Sequence, residues 1–151
     1  MSFPQPSEPT VLKRLHLKVT THTAQTEKIL TWFDQLNQPA LSNPIVWWQC
    51  QIAFKEGFDN VLDHAHQGLP LDTPIEIEAL RFAHKIEIRI WDHGGYFDLQ
   101  QKLKELPDLD QNDQDHGRGL KLMAKVIDQW SYARTSDHRN CLLLVKHYTS
   151  S

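Results

Sequence analysis

Twice between Pro74 and Asp92 the chain alternates apolar and charged residues: Ile75, Ile77 and Ala79 stand among Glu76 and Glu78, then Ile86, Ile88 and Ile90 among Glu87 and Arg89. A period of two puts the apolar side chains on one side of an extended strand and the charges on the other. The stretch around Ala83 and His84 has room only for a turn, so the two runs are expected to pair antiparallel, each with one solvated face. The other face must be covered, and the chain supplies helices for it. Ile29, Leu30, Phe33 and Leu36 recur at helical spacing over residues 23–36, with Thr23 as the expected N-cap. A longer helix is expected from Ile45 to His66, stopping near Gly68 and Pro70. Between these two helices the loop Asn37–Pro44 carries two prolines and a Ser-Asn pair.

Further strands flank this middle. Leu15, Leu17 and Val19 alternate with Arg14, His16 and Lys18, which predicts a strand over residues 12–19. Leu120, Leu122, Met123 and Val126 predict a short helix over Gly119–Val126, and two last strands are expected around Trp130–Arg134 and Cys141–His147. Strand, helix, helix, then strands with one helix between them is the order of an α+β fold: a two-layer α/β sandwich, its helices on one face of a mixed, mostly antiparallel sheet. Residues 1–10, with three prolines, read as a flexible leader, and residues 11–148 as a single domain with no internal repeat. Residues 99–116 begin with LQQKLKEL, enough for one or two helical turns, and continue into a polar, acidic stretch expected to be mobile.

Composition narrows the function. A net charge of −3 and a pI near 6.3 give no basic patch for nucleic acid or an anionic membrane. No apolar run is long enough to span a bilayer and the first residues do not form a secretion signal, so a cytoplasmic location is expected. Cys50 and Cys141, far apart in apolar stretches, read as buried free thiols without a catalytic part.

The segment KEGFDNVLDH, Lys55–His64, carries Glu56, Asn60 and His64 at four-residue steps. On a helix these lie nearly above one another, so a carboxylate, an amide and an imidazole form one polar stripe on an otherwise apolar element. Two glycine-rich stations follow it. Asp92-His93-Gly94-Gly95 comes at a strand end, where an aspartate can accept from an exocyclic amine and glycines let a ring approach the backbone. Gly117-Arg118-Gly119 opens a helix, where backbone N–H groups and the helix dipole favour phosphate and Arg118 adds a charged clamp. An amide oxygen on the stripe suits Mg²⁺, which takes hard ligands and is held by few protein groups together with substrate phosphates. These stations describe a nucleotide site.

Other metals fit poorly. Asp108 starts a stretch like a calcium loop, but Asp113 replaces the turn glycine and Gly119 the bidentate glutamate. Of the nine histidines, His64 and His66 are two apart on a helix and have no cysteine partners nearby. Trp47 and Trp48 read as core and rim.

In combination, E-x-x-x-N-x-x-x-H, D-x-G followed by F-D, and G-x-G-L resemble the three nucleotide-binding boxes of the ATPase fold shared by gyrase, heat-shock protein 90, histidine kinases and MutL. The phrases WDHGGYFDL and HGRGLKLM most resemble the anti-sigma factor serine-protein kinases, and the likeness runs from about Leu12 to Lys146. It implies that Glu56 is the general base, Asn60 the Mg²⁺ ligand and Asp92 the adenine contact. Gly94 would shape the adenine pocket, residues 99–116 would form the ATP lid, and Gly117, Arg118, Gly119 and Leu120 would bind the phosphates. The implied activity is transfer of phosphate from ATP to a serine of a STAS-type anti-sigma antagonist, with a sigma factor as second partner and a homodimer as the assembly. The alternative is a nucleotide-gated binding module that transfers nothing. Tyr96, at the place of a second glycine in the second box, is the departure that keeps this alternative open.

Overall fold

The computed structural model describes residues 10–106 and 118–149. Five strands form one sheet: β1 (Lys13–Thr20), β2 (Pro74–Arg81), β3 (Lys85–Asp92), β4 (Gln129–Arg134) and β5 (Asn140–His147). Their spatial order is β1-β2-β3-β5-β4, and every neighbouring pair is antiparallel. The expected α+β two-layer sandwich is found, with a sheet antiparallel throughout rather than mixed. β2 begins at Pro74, where a missing N–H costs no ladder bond inside the strand.

The helices are α1 (Gln25–Phe33), α2 (Pro44–Asn60), α3 (Leu99–Glu105) and α4 (Arg118–Val126). They cover the face carrying Ile75, Ile77, Ile88, Ile90 and Leu144, all fully buried. Phe33 stacks on Trp47 at 4.8 Å between ring centroids and meets Phe54 at 4.4 Å, which fastens α1 to α2. Trp48 points to solvent, as a rim residue should. Gly57 brings α2 down on the sheet: a Cβ there would stand 3.1 Å from Leu142 Cδ2 and 3.2 Å from Ile90 Cδ1. That close approach is one residue from Glu56 and three from Asn60, so the polar stripe is fixed relative to β3 and β5. The opposite sheet face is a lattice of charges, among them His16–Glu76, Arg139–Glu76, Arg89–Glu78 and Lys85–Glu87.

Three expectations need correction. Thr23 does not cap α1. The helix starts two residues later from Ala24 without a side-chain cap, because a tight turn already supplies backbone acceptors: Gln25 N–H donates to His22 O and Thr26 N–H to Thr23 O. The second helix does not run as one α-helix to His66. It is capped by Asn43, whose Oδ1 accepts from Ile45 N–H, and stays α-helical to Asn60, then widens into a π turn over Val61–Ala65 in which His66 N–H donates to Val61 O at 2.8 Å. Cys50 is buried as expected, but Cys141 on β5 is only half-buried, because it faces the charged side of the sheet.

Candidate functional site

The stripe on α2 and the start of α4 meet in a polar cleft of about 140 Å³ lined by Glu56, Asp59, Asn60, Asp63, His64, Gly119 and Leu120. The four-residue spacing thus brings Glu56, Asn60 and His64 to one place. Asn60 is 7% exposed, and its Oδ1 is, among the described residues, the buried side-chain polar atom with no hydrogen-bond partner. Burying an amide oxygen without a partner costs about 1–3 kcal/mol, and such an atom in a native fold is explained by an ordered water, an ion or a catalytic role. Hard oxygen donors line the same cleft, on Glu56, Asp59 and Asp63. That set fits Mg²⁺.

Glu56 is half-buried. Burial pushes its carboxyl above the usual range, Lys55 pulls it down, and Asp59 and Asp63 push it up again. Lys55 spends most of its charge on Asp59, at 2.7 Å, and stands 4.0 Å from Glu56. Gly119 lies against the Glu56 carboxylate so closely that any Cβ would overlap Oε2. Leu120 is buried and Arg118 exposed at the first residue of α4. Gly117 and residues 107–116 of the expected lid lie outside the described residues. The described part of the expected lid, residues 99–106, holds α3, capped by Asp98 through a bond from Gln101 N–H.

His64 also lines a second, more apolar cleft of about 540 Å³, together with Ala65, Gly95, Phe97, Asp98, Gln101, Lys102 and Glu105. A polar compartment and an apolar one therefore adjoin at His64, between α2, α4, the loop after β3 and α3. The volume of the larger suits a small organic ligand.

Asp92 ends β3 and is buried among donors. Its Oδ1 accepts from Asn140 Nδ2 at 2.9 Å and from Gly94 N–H at 2.8 Å, and its Oδ2 from Tyr132 Oη at 3.1 Å. Strand register produces this cluster, since Asn140 on β5 pairs with Asp92 on one side and with Arg134 of β4 on the other. Asn140 Nδ2 and Arg134 Nη1 both donate to Gly94 O. Burial, and then the Asp92 charge, push the Tyr132 phenol well up, so it remains a donor. Among the described residues Oδ2 accepts from Tyr132 alone, which leaves it a lone pair for a further donor; Asp92 is 2% exposed and lines neither cleft. Gly94 is required by packing, because a Cβ would strike the Ala65 carbonyl of the π turn. Tyr96 is exposed, with its ring 6.0 Å from that of Tyr132.

Sequence reasoning did not find Asn140, Tyr132, Arg134 or His66. The first three are each 40 or more positions from the residue they bond, Asp92 or Gly94, and reach it through strand register, which no local pattern announces. His66 shows in the sequence only as a poor metal ligand, and the structure gives it two hydrogen bonds instead.

Over residues 19–146 the chain matches the model of the histidine kinase-like ATPase domain, and it belongs to that family. The histidine kinase-like ATPase domain implies ATP binding. Among solved structures, a chain in the crystal structure of the SiaB–SiaC complex from Pseudomonas aeruginosa has a similar fold, with 16% sequence identity, 91% of each chain covered and a TM-score of 0.59. No curated protein matches the sequence. Among the described residues no helix is long and apolar enough to cross a membrane.

Proposed function

We propose that the protein is an anti-sigma regulatory serine-protein kinase, which binds Mg²⁺-ATP and phosphorylates a serine of a STAS-type anti-sigma antagonist, acting as a homodimer in the cytoplasm and holding a sigma factor when the antagonist is absent. The observation that carries the nucleotide part is the orphaned Oδ1 of Asn60, buried beside Glu56 and Gly119 in a cleft with three carboxylates. A triphosphate would be repelled by that wall unless a cation came with it. Asn60 would hold Mg²⁺, which supplies charge neutralisation to the phosphates when bound.

The remaining roles fall to the chain's own groups. The purine enters the larger cleft, which Gly95 lines, and its exocyclic amine donates to Asp92 Oδ2, three residues back along the same loop, once the loop opens a path to that buried carboxylate. The phosphates run toward α4, whose first N–H groups and Arg118 face anionic charge favourably. The antagonist's serine Oγ forms a bond to the γ-phosphorus as the bond from that phosphorus to the β,γ-bridging oxygen breaks, ADP leaves, and Glu56 takes the serine proton. A carboxylate raised by burial is a better proton acceptor than one in water. Support for a protein partner comes from the sequence resemblance and from the similar fold found in a complex of two proteins.

The test is phosphate incorporation into serine of a co-purified antagonist domain, with ATP binding measured in parallel. Glu56→Gln is expected to bind ATP nearly as wild type and to lose transfer by roughly a hundredfold or more. Wild-type protein that binds ATP and the antagonist without labelling it would favour the gated module. A mutant that transfers at the wild-type rate would remove Glu56 from the mechanism.

A further inference from the structure

We propose that His66 is a positioning residue for the base-binding edge of the site, holding the loop after β3 to the π turn in a single proton arrangement. This role rests on the nucleotide reading above. His66 is 2% exposed and uses both ring nitrogens. Nε2 lies 2.8 Å from the backbone N of His93, which can only donate, so Nε2 is the unprotonated nitrogen. Nδ1 therefore carries the proton and donates to Thr21 Oγ at 2.7 Å, while the Thr21 hydroxyl gives its own proton to Thr73 O at 2.6 Å. Every proton in the chain is assigned. The other tautomer would set N–H against N–H at His93, and a doubly protonated ring would do the same.

What hangs from this chain is the segment that presents Asp92 and Gly94. His93 sits between them, and Gly94 rests on the carbonyl of Ala65, the residue before His66. The π turn thus holds the loop at two adjacent points, by a hydrogen bond from His66 and by backbone contact at Ala65. The extra residue that widens the helix after Asn60 directs His66 at the loop while Asn60 still faces the cleft. Without the His66 acceptor the His93 N–H is left unpaired, and the loop is free to leave the position that aims Asp92 at a base.

The groups that act on His66 are few. Burial is the main influence and lowers its proton affinity; Asp92 at the end of β3 opposes this, and the His93 ring, 6.2 Å away, adds to it. His22, on the connection from β1 to α1, lines the cavity on the far side of His66. The ring accordingly stays neutral, and the tether holds, in neutral solution.

Two variants separate the arms of the chain. In His66→Asn the shorter amide can still meet Thr21 but cannot reach His93, whereas His66→Gln reaches His93 with an oxygen acceptor and does not titrate. Amide exchange at His93, read by NMR in nucleotide-free protein, reports the tether; competition of ATP against GTP reports the site. The expected result is fast exchange at His93 in His66→Asn, with ATP affinity and preference for ATP each reduced about tenfold, the scale of one unpaired buried donor. His66→Gln is expected to keep both within about twofold at pH 7.5. Unchanged exchange at His93 in His66→Asn overturns the tether. Faster exchange with unchanged ATP affinity and selectivity overturns the positioning role and leaves a structural one. Wild-type protein that binds no nucleotide, while His93 exchange follows the expected pattern, overturns the nucleotide reading and the positioning role with it.

Discussion

Gly119 and Glu56 share one space: the first turn of α4 touches the carboxylate on α2 so directly that a methyl group at Gly119 would overlap Glu56 Oε2. The atom in the way is the end of a flexible side chain, so Glu56 can swing aside at small cost, and alanine also favours a helix by up to about 1 kcal/mol over glycine. Gly119→Ala is therefore expected to leave the melting temperature nearly unchanged and to lower phosphate transfer at least about tenfold, in line with a displaced general base. Thermal unfolding and the transfer assay check it together; a variant that unfolds early would show that the glycine serves packing instead.

Gly94→Ala is expected to behave in the opposite way. Its Cβ meets the backbone carbonyl of Ala65, which no rotamer change can move. Either the π turn or the loop after β3 must shift, at about 1–3 kcal/mol, the usual range for overpacking. Denaturant unfolding should report this loss, and ATP affinity should fall with it.

Much of this was legible in the sequence because the signals were local. Period-two runs marked the strands, and the α2 stripe placed Glu56, Asn60 and His64 on one cleft. The π turn was not legible, since an α-helix and a π turn carry the same amphipathic residues and differ only in which carbonyl His66 N–H meets. The cap at Thr23 failed because backbone acceptors of His22 and Thr23 satisfied the helix start first. The cluster around Asp92 was hidden for a different reason: Asn140, Tyr132 and Arg134 arrive through the pairing of β5 with both β3 and β4, and strand order is not written in any window of sequence.

That cluster alters what a substitution at Asp92 would show. Asp92→Ala strands three donors, from Asn140, Gly94 and Tyr132, and should destabilise the fold by about 2 kcal/mol or more. Asp92→Asn keeps an acceptor for Asn140 and Gly94, and its new amide can donate to Tyr132 Oη once the hydroxyl turns. The asparagine variant should stay folded while losing preference for ATP over GTP, which competition binding measures. If it keeps that preference, the base is read elsewhere.

A pH dependence follows from Glu56. Its carboxyl is raised in the folded protein, by burial first, so folding disfavours the charged form: the group costs nothing below its unfolded pKa near 4.3, the cost grows as pH rises from there to its folded value, and it is constant above that. Glu56→Gln should accordingly melt higher than wild type at pH 7.5, with the difference shrinking to nothing near pH 4. A variant less stable than wild type at neutral pH would mean that Glu56 has a stabilising partner.

Calorimetric titration of ATP with and without Mg²⁺, into wild type and Asn60→Ala, addresses the nucleotide site most directly. The buried, unpartnered Oδ1 of Asn60 predicts that Mg²⁺ strengthens ATP binding to wild type by about tenfold or more, a gain of roughly 1.4 kcal/mol, and that Asn60→Ala loses this gain while binding metal-free ATP as before. The same Mg²⁺-dependent gain in both proteins would contradict the assignment of Asn60 as the metal ligand and, with it, the site built around the α2 stripe.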